Sequence, residues 1–297
     1  MSDFVQLQNS ICDFATSDSW VILSPIELSI KKKIESVGTP LKDWDINIYR
    51  GVLTGCNEAF IIDSQKRDEI LANCHTEDER QRTAELIRPI LRGRDIKRYG
   101  YVDNGLYLIN THNGVRGRIP RIKIEDYPAV KAHLDQYWDR IATRADKGDT
   151  PYNLRNCAYL EDFSRPKIIW KRIGSILRFS FDNKGCLGLD STCFAAGEHI
   201  GYLCCVLNSL MGHYLLKDSP KTGTGDLLVS VQAIEPARVP YNAQYDRQLS
   251  PLLSIQITNP SITTEKEIND IVFTMYDLSP KEREYVTQYV KLSQQSL

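Results

Sequence analysis

The stretch YRGVLTGCNEAFIID, residues 49–63, constrains the fold more than any other: Gly51 and Gly55 stand four apart between apolar runs. DINIYRGVLTG alternates and reads as a strand entering a turn, and EAFIID reads as the return strand. A Walker-type loop needs a lysine and a hydroxyl residue directly after its last glycine, whereas Cys56 and Asn57 follow Gly55. A dinucleotide loop needs three glycines opening a helix, and here a strand pattern follows. The residues alone leave two readings: a tight turn between strands, or a loop that meets phosphate through its amides.

The rest of the chain mixes strand and helix patterns in irregular order. Residues 1–24 read as an amphipathic start ending in SWVILS. Ser24-Pro25 opens the helix PIELSIKKKIESVG, and Gly38 stops it. SQKRDEILANC and EDERQRTAELIRPILRG read as helices, the second closed by Pro89 and Gly93. GLYLINTH reads as a strand. EDYPAVKAHLDQYWDRIATRAD reads as one strong helix, with Val130, Leu134, Trp138 and Ile141 along its core face. RPKIIWKRIGSILRFSFD is a β-rich pair broken at Gly174, with Trp170 assigned to the core, and CLGLDSTCFAAG continues the pattern. EHIGYLCCVLNSLMGHYLLKDS is the most apolar helix. PKTGTGDLLVSV is a Gly-rich loop feeding a strand, and ARVPYN ends the β region. TEKEINDIVFTMYDL is helical, and a further helix starts at Ser279-Pro280, with Ser279 as cap and Glu282 three positions on. No internal repeat is present.

With 42% apolar residues, the 297-residue chain has ample material for a core. No apolar run approaches the roughly 18 residues of a membrane span, and the N-terminus lacks a secretory pattern. None of the 8 cysteines forms a C-x-x-C pair, and Cys74-His75 lacks a second ligand pair, so neither a structural zinc nor an oxidising compartment is indicated. The expected compartment is the cytoplasm.

A net charge of −1 excludes a uniformly basic coat for nucleic acid, but the charge is segregated. Residues 88–121 hold eight Lys or Arg against two acids, residues 165–178 hold five and no acid, and residues 57–85 hold eight acids and four bases. Interleaved with Tyr99, Tyr101, Trp170 and Phe179, the basic blocks suggest one face built for a polyanion.

The chain carries little sign of catalysis. It has no G-x-S-x-G elbow, no H-E-x-x-H, no N-P-P-[YFW] tetrapeptide and no glycine-rich methyl-donor loop. His133 reads as a surface or boundary residue and His213 as a core imidazole. Asp95-Ile96-Lys97 fits half of a metal-dependent nuclease site, in which two carboxylates hold Mg²⁺ and a lysine steadies the attacking water. It lies just after a helix stop, without a β-branched run around it.

Eight stretches occur in an order that resembles a known family: YRGVLTGCNEAFIID, LIRPILRGRDIKRYG, GLYLIN, YPAVKAHLDQY, KGDTPYNLRNCAY, RPKIIWKRI, LNSLMGHYLL and INDIVFTMYDLSPKE. Together, over about residues 20–290, they resemble the TaqI-like C-terminal specificity domain. That domain is the target-recognition part of fused restriction-modification enzymes and of related phage-defence adenine methyltransferases. The resemblance implies an α+β fold: a twisted mixed β-sheet, several packed helices and a C-terminal helical segment. It implies an N-terminal helical or linker segment over 1–45, a recognition domain over 46–250 and a C-terminal helical segment over 251–297. It also implies that the T-G-x-N-E-A-F stretch is a scaffold hairpin, with Gly51 and Gly55 at positions of positive φ or close backbone approach, tied by Asn57 and Glu58.

The implied function is recognition of a short double-stranded DNA sequence, on behalf of an S-adenosylmethionine-dependent N6-adenine methyltransferase domain or subunit, and in some relatives a Mg²⁺-dependent nuclease. No cofactor is expected in this chain. Arg94, Lys97 and Arg98 would meet phosphates or hold the scaffold by ion pairs. Base reading would come from three loops: Asn113, Arg116 and Arg118 in the first; Lys171, Arg172 and Arg178 in the second; Lys217, Lys221 and Thr224 in the third. Arg or Lys suits guanine O6 and N7, and Asn suits adenine N6 and N7. Two other readings stand beside this one: a nuclease using Asp95 and Lys97, and an interaction subunit docking through the 199–216 helix.

Overall fold

The computed structural model describes residues 23–295, so the amphipathic start falls almost wholly outside the described residues. The fold is α+β. A short ladder pairs β1 (Thr39–Pro40) with β12 (Arg238–Val239). An antiparallel sheet has the order β2 (Ile46–Arg50), β10 (Thr192–Gly197), β6 (Lys167–Lys171), β8 (Phe179–Asp182). A second sheet has the order β3 (Ile61–Asp63), β5 (Leu106–Ile109), β4 (Ile87–Leu91), β9 (Leu187–Gly188), with β4 and β9 parallel. A small ribbon pairs β7 (Ile173–Gly174) with β11 (Leu227–Leu228).

The run KIIWK in β6 is apolar without alternation because its sheet is covered on both sides. Ile168 and Trp170 of β6, with Cys193 and Ala195 of β10, face a helical core. Ile169, with Phe194 and Ala196, faces a second core shared with the mixed sheet. The helical core is built by α1 (Pro25–Val37), α7 (Ile200–Asn208), α8 (Leu210–Leu215), α10 (Ala243–Thr258), α11 (Ile262–Met275) and α12 (Pro280–Gln295), with the short α9 (Val231–Ile234) beside them. The second core is enclosed by α2 (Asn57–Phe60), α3 (Ser64–Ala72), α4 (Glu77–Leu86), α5 (Pro128–Asp135) and α6 (Trp138–Thr143). No described helix is long and apolar enough to cross a membrane.

Several local expectations change. EAFIID is not the return strand of a hairpin: Asn57–Phe60 makes a helical turn that buries Ala59 and Phe60, and only Ile61–Asp63 is extended. β2 and β3 therefore lie in different sheets, and the chain crosses between them at Gly51–Val52, where the Val52 amide donates to the Gly188 carbonyl at 2.7 Å. A Cβ on Gly51 would lie 2.1 Å from the Leu189 carbonyl oxygen, so this glycine serves close approach, while Gly55 (φ +66°) serves the left-handed turn. Gly51→Ala should cost about 2–3 kcal/mol, the upper range for overpacking, because the atom struck is backbone. Thermal unfolding would check this, and an unchanged Tm would mean that the crossing tolerates the extra atom.

IRPIL is strand β4 rather than the end of a helix; β9 pairs only with Ile90 and Leu91, beyond Pro89, which has no amide hydrogen to give. The long helix over 125–146 is two short ones, broken at Tyr137. The break turns Trp138 out of the stripe: it is 44% exposed and rests on Tyr152 rather than in the core. His133 goes the other way, buried with Nε2 3.0 Å from the Ala59 carbonyl. The apolar helix is also two, because Ser209 ends α7 and caps α8 by accepting from the Gly212 amide. Helix α10 begins ahead of the C-terminal helical segment expected from residue 251, with Pro251 lying inside it.

The capping signals were sound. Ser24 and Glu27 form a complete capping box on α1. Glu282 reaches back to the Ser279 amide (2.7 Å) and also accepts from Ser29 (2.7 Å) and Lys33 (2.8 Å), tying α12 to α1. Burial opposes the Glu282 charge, but these donors outweigh it and hold its pKa at about 2, below the ordinary 4.5. Because the folded value is depressed, this contribution, up to about 3 kcal/mol, is complete above pH 4.5 and lost as pH falls towards 2. Glu282→Gln should remove that part of the acid sensitivity, seen as a flatter profile of urea midpoint against pH.

Candidate nucleic-acid interface

The basic block at 165–178 divides where β6 leaves the core. Its first lysine is not at the surface: Lys167 is 0% exposed, pairs with Asp182 at 2.5 Å and donates to the Phe163 carbonyl at 2.6 Å. Asp182 also accepts from Tyr101 and from the amides of Lys184 and Cys186, each at 3.0 Å. Burial lowers the Lys167 pKa and raises those of Tyr101 and Cys186. Four residues on, Lys171 is exposed and Arg172 half-buried. Trp170 between them and the core donates from Nε1 to the Val229 carbonyl at 2.9 Å, fixing the strand that returns from the third predicted loop.

The second and third loops are brought together. β7 and β11 pair antiparallel, and Lys221 bridges to Leu227, so WKRIGSILR and KDSPKTGTGD share one ribbon. At the bend after β7, Leu177 is buried in the helical core, while Ile176 and Arg178 on either side face solvent. Among the described residues no carboxylate pairs with Lys171, Arg172, Arg178 or Lys221. Lys217 differs: it pairs with Asp218 at 2.7 Å and lies over the Tyr214 ring. Thr224 bonds Thr222 at 2.8 Å across the loop.

More cations gather at the ribbon's root, around the turn Asp190–Ser191. The Arg172 amide donates to the Ser191 carbonyl at 3.0 Å, and the Gly93 amide donates to Ser191 Oγ at 3.3 Å. A Cβ on Gly93 would lie 2.9 Å from Lys171 Cγ, so Lys171 runs over the backbone next to Arg94, which is itself exposed. Arg50 reaches the same turn, 3.7 Å from the Asp190 carboxylate. Sequence reading missed Arg50, which appears there only as the last residue of an alternating strand. Lys97 is exposed and donates to the Arg94 carbonyl at 3.3 Å. Arg98 takes the scaffold role, gripping Glu265 and the Asn208 carbonyl between α7 and α11.

The first predicted loop does not join this cluster. It packs against residues 149–158, where Asn113 donates to Asp149 and Asn156 and accepts from the Asp149 amide at 2.9 Å. Asn113 is thus spent on loop closure. Arg118 pairs with Glu161, and Arg121 with Asp149 at 3.2 Å. Arg116, at the exposed tip, has no ion pair among the described residues. The loop lines a cleft of about 800 Å³.

Neither of the other two readings finds its geometry. The Asp95 carboxylate, 2% exposed, accepts from the Arg92 amide and guanidinium at 2.8–3.0 Å and from Asn104 at 2.9 Å. Burial works against its charge, yet Arg92 and Asn104 hold its pKa below the ordinary carboxylate value. Its oxygens face protein donors rather than an open metal position. Helices α7 and α8 form the middle of a core covered by α10, α11 and α12, so among the described residues this apolar segment is spent mostly on the core, with Tyr214 and Leu215 lining a cleft shared with α1. The turn after β2 is scaffold: Thr54 donates to Asn57 at 2.5 Å, Glu58 pairs with Arg140, and buried Arg144 grips the Thr54 and Asn153 carbonyls.

No family model and no curated protein sequence matches the chain. The fold is similar to that of part of the type IIL restriction-modification enzyme MmeI, whose structure was solved in complex with DNA: TM-score 0.59, 8% identity, covering 88% of this chain. This chain spans 37% of MmeI's length. A second match is the type IIG restriction endonuclease BpuSI, with TM-score 0.46, 14% identity and coverage of 88% of this chain and 33% of that one.

Proposed function

We propose that this chain is a sequence-specific double-stranded DNA recognition module of the restriction-modification kind, of the type that the TaqI-like specificity domain represents. The observation that carries the reading is the ribbon. In a chain of net charge −1, two distant loops are hydrogen-bonded together, and the exposed, uncompensated cations Lys171, Arg178 and Lys221 collect on them, with Arg50, Arg94 and Arg172 at their root. Unpaired arginines and lysines on an exposed ribbon suit phosphate and base-edge contacts, whereas paired ones would first have to give up a partner. The fold shared with a DNA-bound restriction-modification enzyme supports the same reading.

In this proposal the chemistry lies elsewhere. A methyltransferase domain or subunit using S-adenosylmethionine would act on adenine N6, and a Mg²⁺-dependent nuclease would accompany it in some assemblies. This chain would fix the position of both along the duplex. Selection from a randomised duplex pool with the purified chain, at two salt concentrations and without metal, tests it. The expected result is an enriched motif. Binding with a steep salt slope but no motif would reduce the role to generic phosphate affinity.

A further inference from the structure

Resting on that reading, we infer that the bend after β7 reads a thymine from the major groove through Ile176, next to a guanine read by Arg178. A singly exposed isoleucine is ordinary on a protein surface. The setting of this one is not. Ile176 is 40% exposed at the tip of the ribbon that carries Lys171, Arg178 and Lys221, and Leu177 anchors the bend from below in the helical core. The alternation out, in, out puts Ile176 and Arg178 on the same outward side. Ile176 and Arg178 are two residues apart, and two residues of chain span at most about 7 Å, close to two base-pair rises of about 3.4 Å, so the two side chains reach pairs no more than about two steps apart.

The groove follows from the chemistry. The major groove admits a two-stranded ribbon and displays the thymine methyl group together with guanine O6 and N7; the minor groove offers no methyl group. The third loop has room at two positions: a Cβ added at Gly223 or Gly225 would meet nothing within 4 Å.

Deoxyuridine differs from thymidine only by that methyl group, which gives a direct test. Each thymine of the selected duplex is replaced in turn by deoxyuridine, and affinity is measured for the intact chain and for Ile176→Ala. One replacement should weaken the intact chain about fourfold, the effect of losing one buried methyl. The same replacement should leave Ile176→Ala unchanged. A guanine within two base pairs should matter to the intact chain and not to Arg178→Ala. Because Ile176 is exposed, the urea midpoint of its variant should equal that of the intact chain. The inference is overturned if no replacement weakens binding, if both proteins weaken equally, or if the enriched motif holds no A·T pair; in those cases recognition itself still stands. A failure to enrich any motif removes recognition and the inference together.

Discussion

Lys167→Met lowers the free energy of unfolding by about 3–5 kcal/mol, the range seen when one partner of a buried ion pair is removed. The argument rests on what is left behind. Asp182 is fully buried, and its three remaining donors, Tyr101 and two backbone amides, share less charge than the ammonium supplied. The carboxylate then either stays charged without a cation or takes up a proton, and both cost free energy. A domain stable by about 5–15 kcal/mol would lose a large part of its margin. Lys171→Met, four residues along the same strand, removes the same group from an exposed position and should stay within about 0.5 kcal/mol of the parent. Urea midpoints of the two variants decide the matter: equal midpoints would mean that the buried pair adds nothing over its surface neighbour.

The combined variant Lys171→Ala, Arg178→Ala, Lys221→Ala carries the second large effect. If each cation meets a phosphate or a base edge, each lost charge-assisted bond is worth about 1.5–3 kcal/mol, so three together weaken DNA binding by roughly a thousandfold or more. The slope of log affinity against log salt should flatten by about 0.9 for each contact that was to phosphate, which separates phosphate contacts from base contacts within the set. Folding should be untouched, since none of the three is buried or, among the described residues, ion-paired. Arg116→Ala, on the separate first loop, serves as comparison. An unchanged affinity in the triple variant would place the DNA face away from the ribbon.

Legibility from sequence followed the range of the interactions. Signals confined to one turn were read correctly: Ser24-Pro25 opening α1, Gly38 after it, Ser279 with Glu282. So was the core place of Trp170, where a strand buried on both faces leaves an unbroken apolar run. Signals that depend on distant partners were not. Pro89 reads as a helix stop until β9 is seen to pair only beyond it. Trp138 fits a helical stripe until the helix breaks at Tyr137. Lys167 looks like its exposed neighbours because nothing local announces Asp182. For the site, Lys171, Arg178 and Lys221 were legible as loop cations, but their assembly on one ribbon was not, since β7 and β11 pair over a long separation. Arg50 carried no signal at all, and Asn113 carried a misleading one.

Strand β6 leaves the core between buried Trp170 and exposed Lys171, its last residue, so a single peptide bond separates what must not change from what is free to change. Inheritance acts on the two sides differently. A new side chain at position 176 or 178 alters what the ribbon touches without opening a void, while one at 168 or 170 disturbs the helical core and one at 169 the second core. Such a boundary lets a lineage drift from one target to another by single steps, each of them foldable.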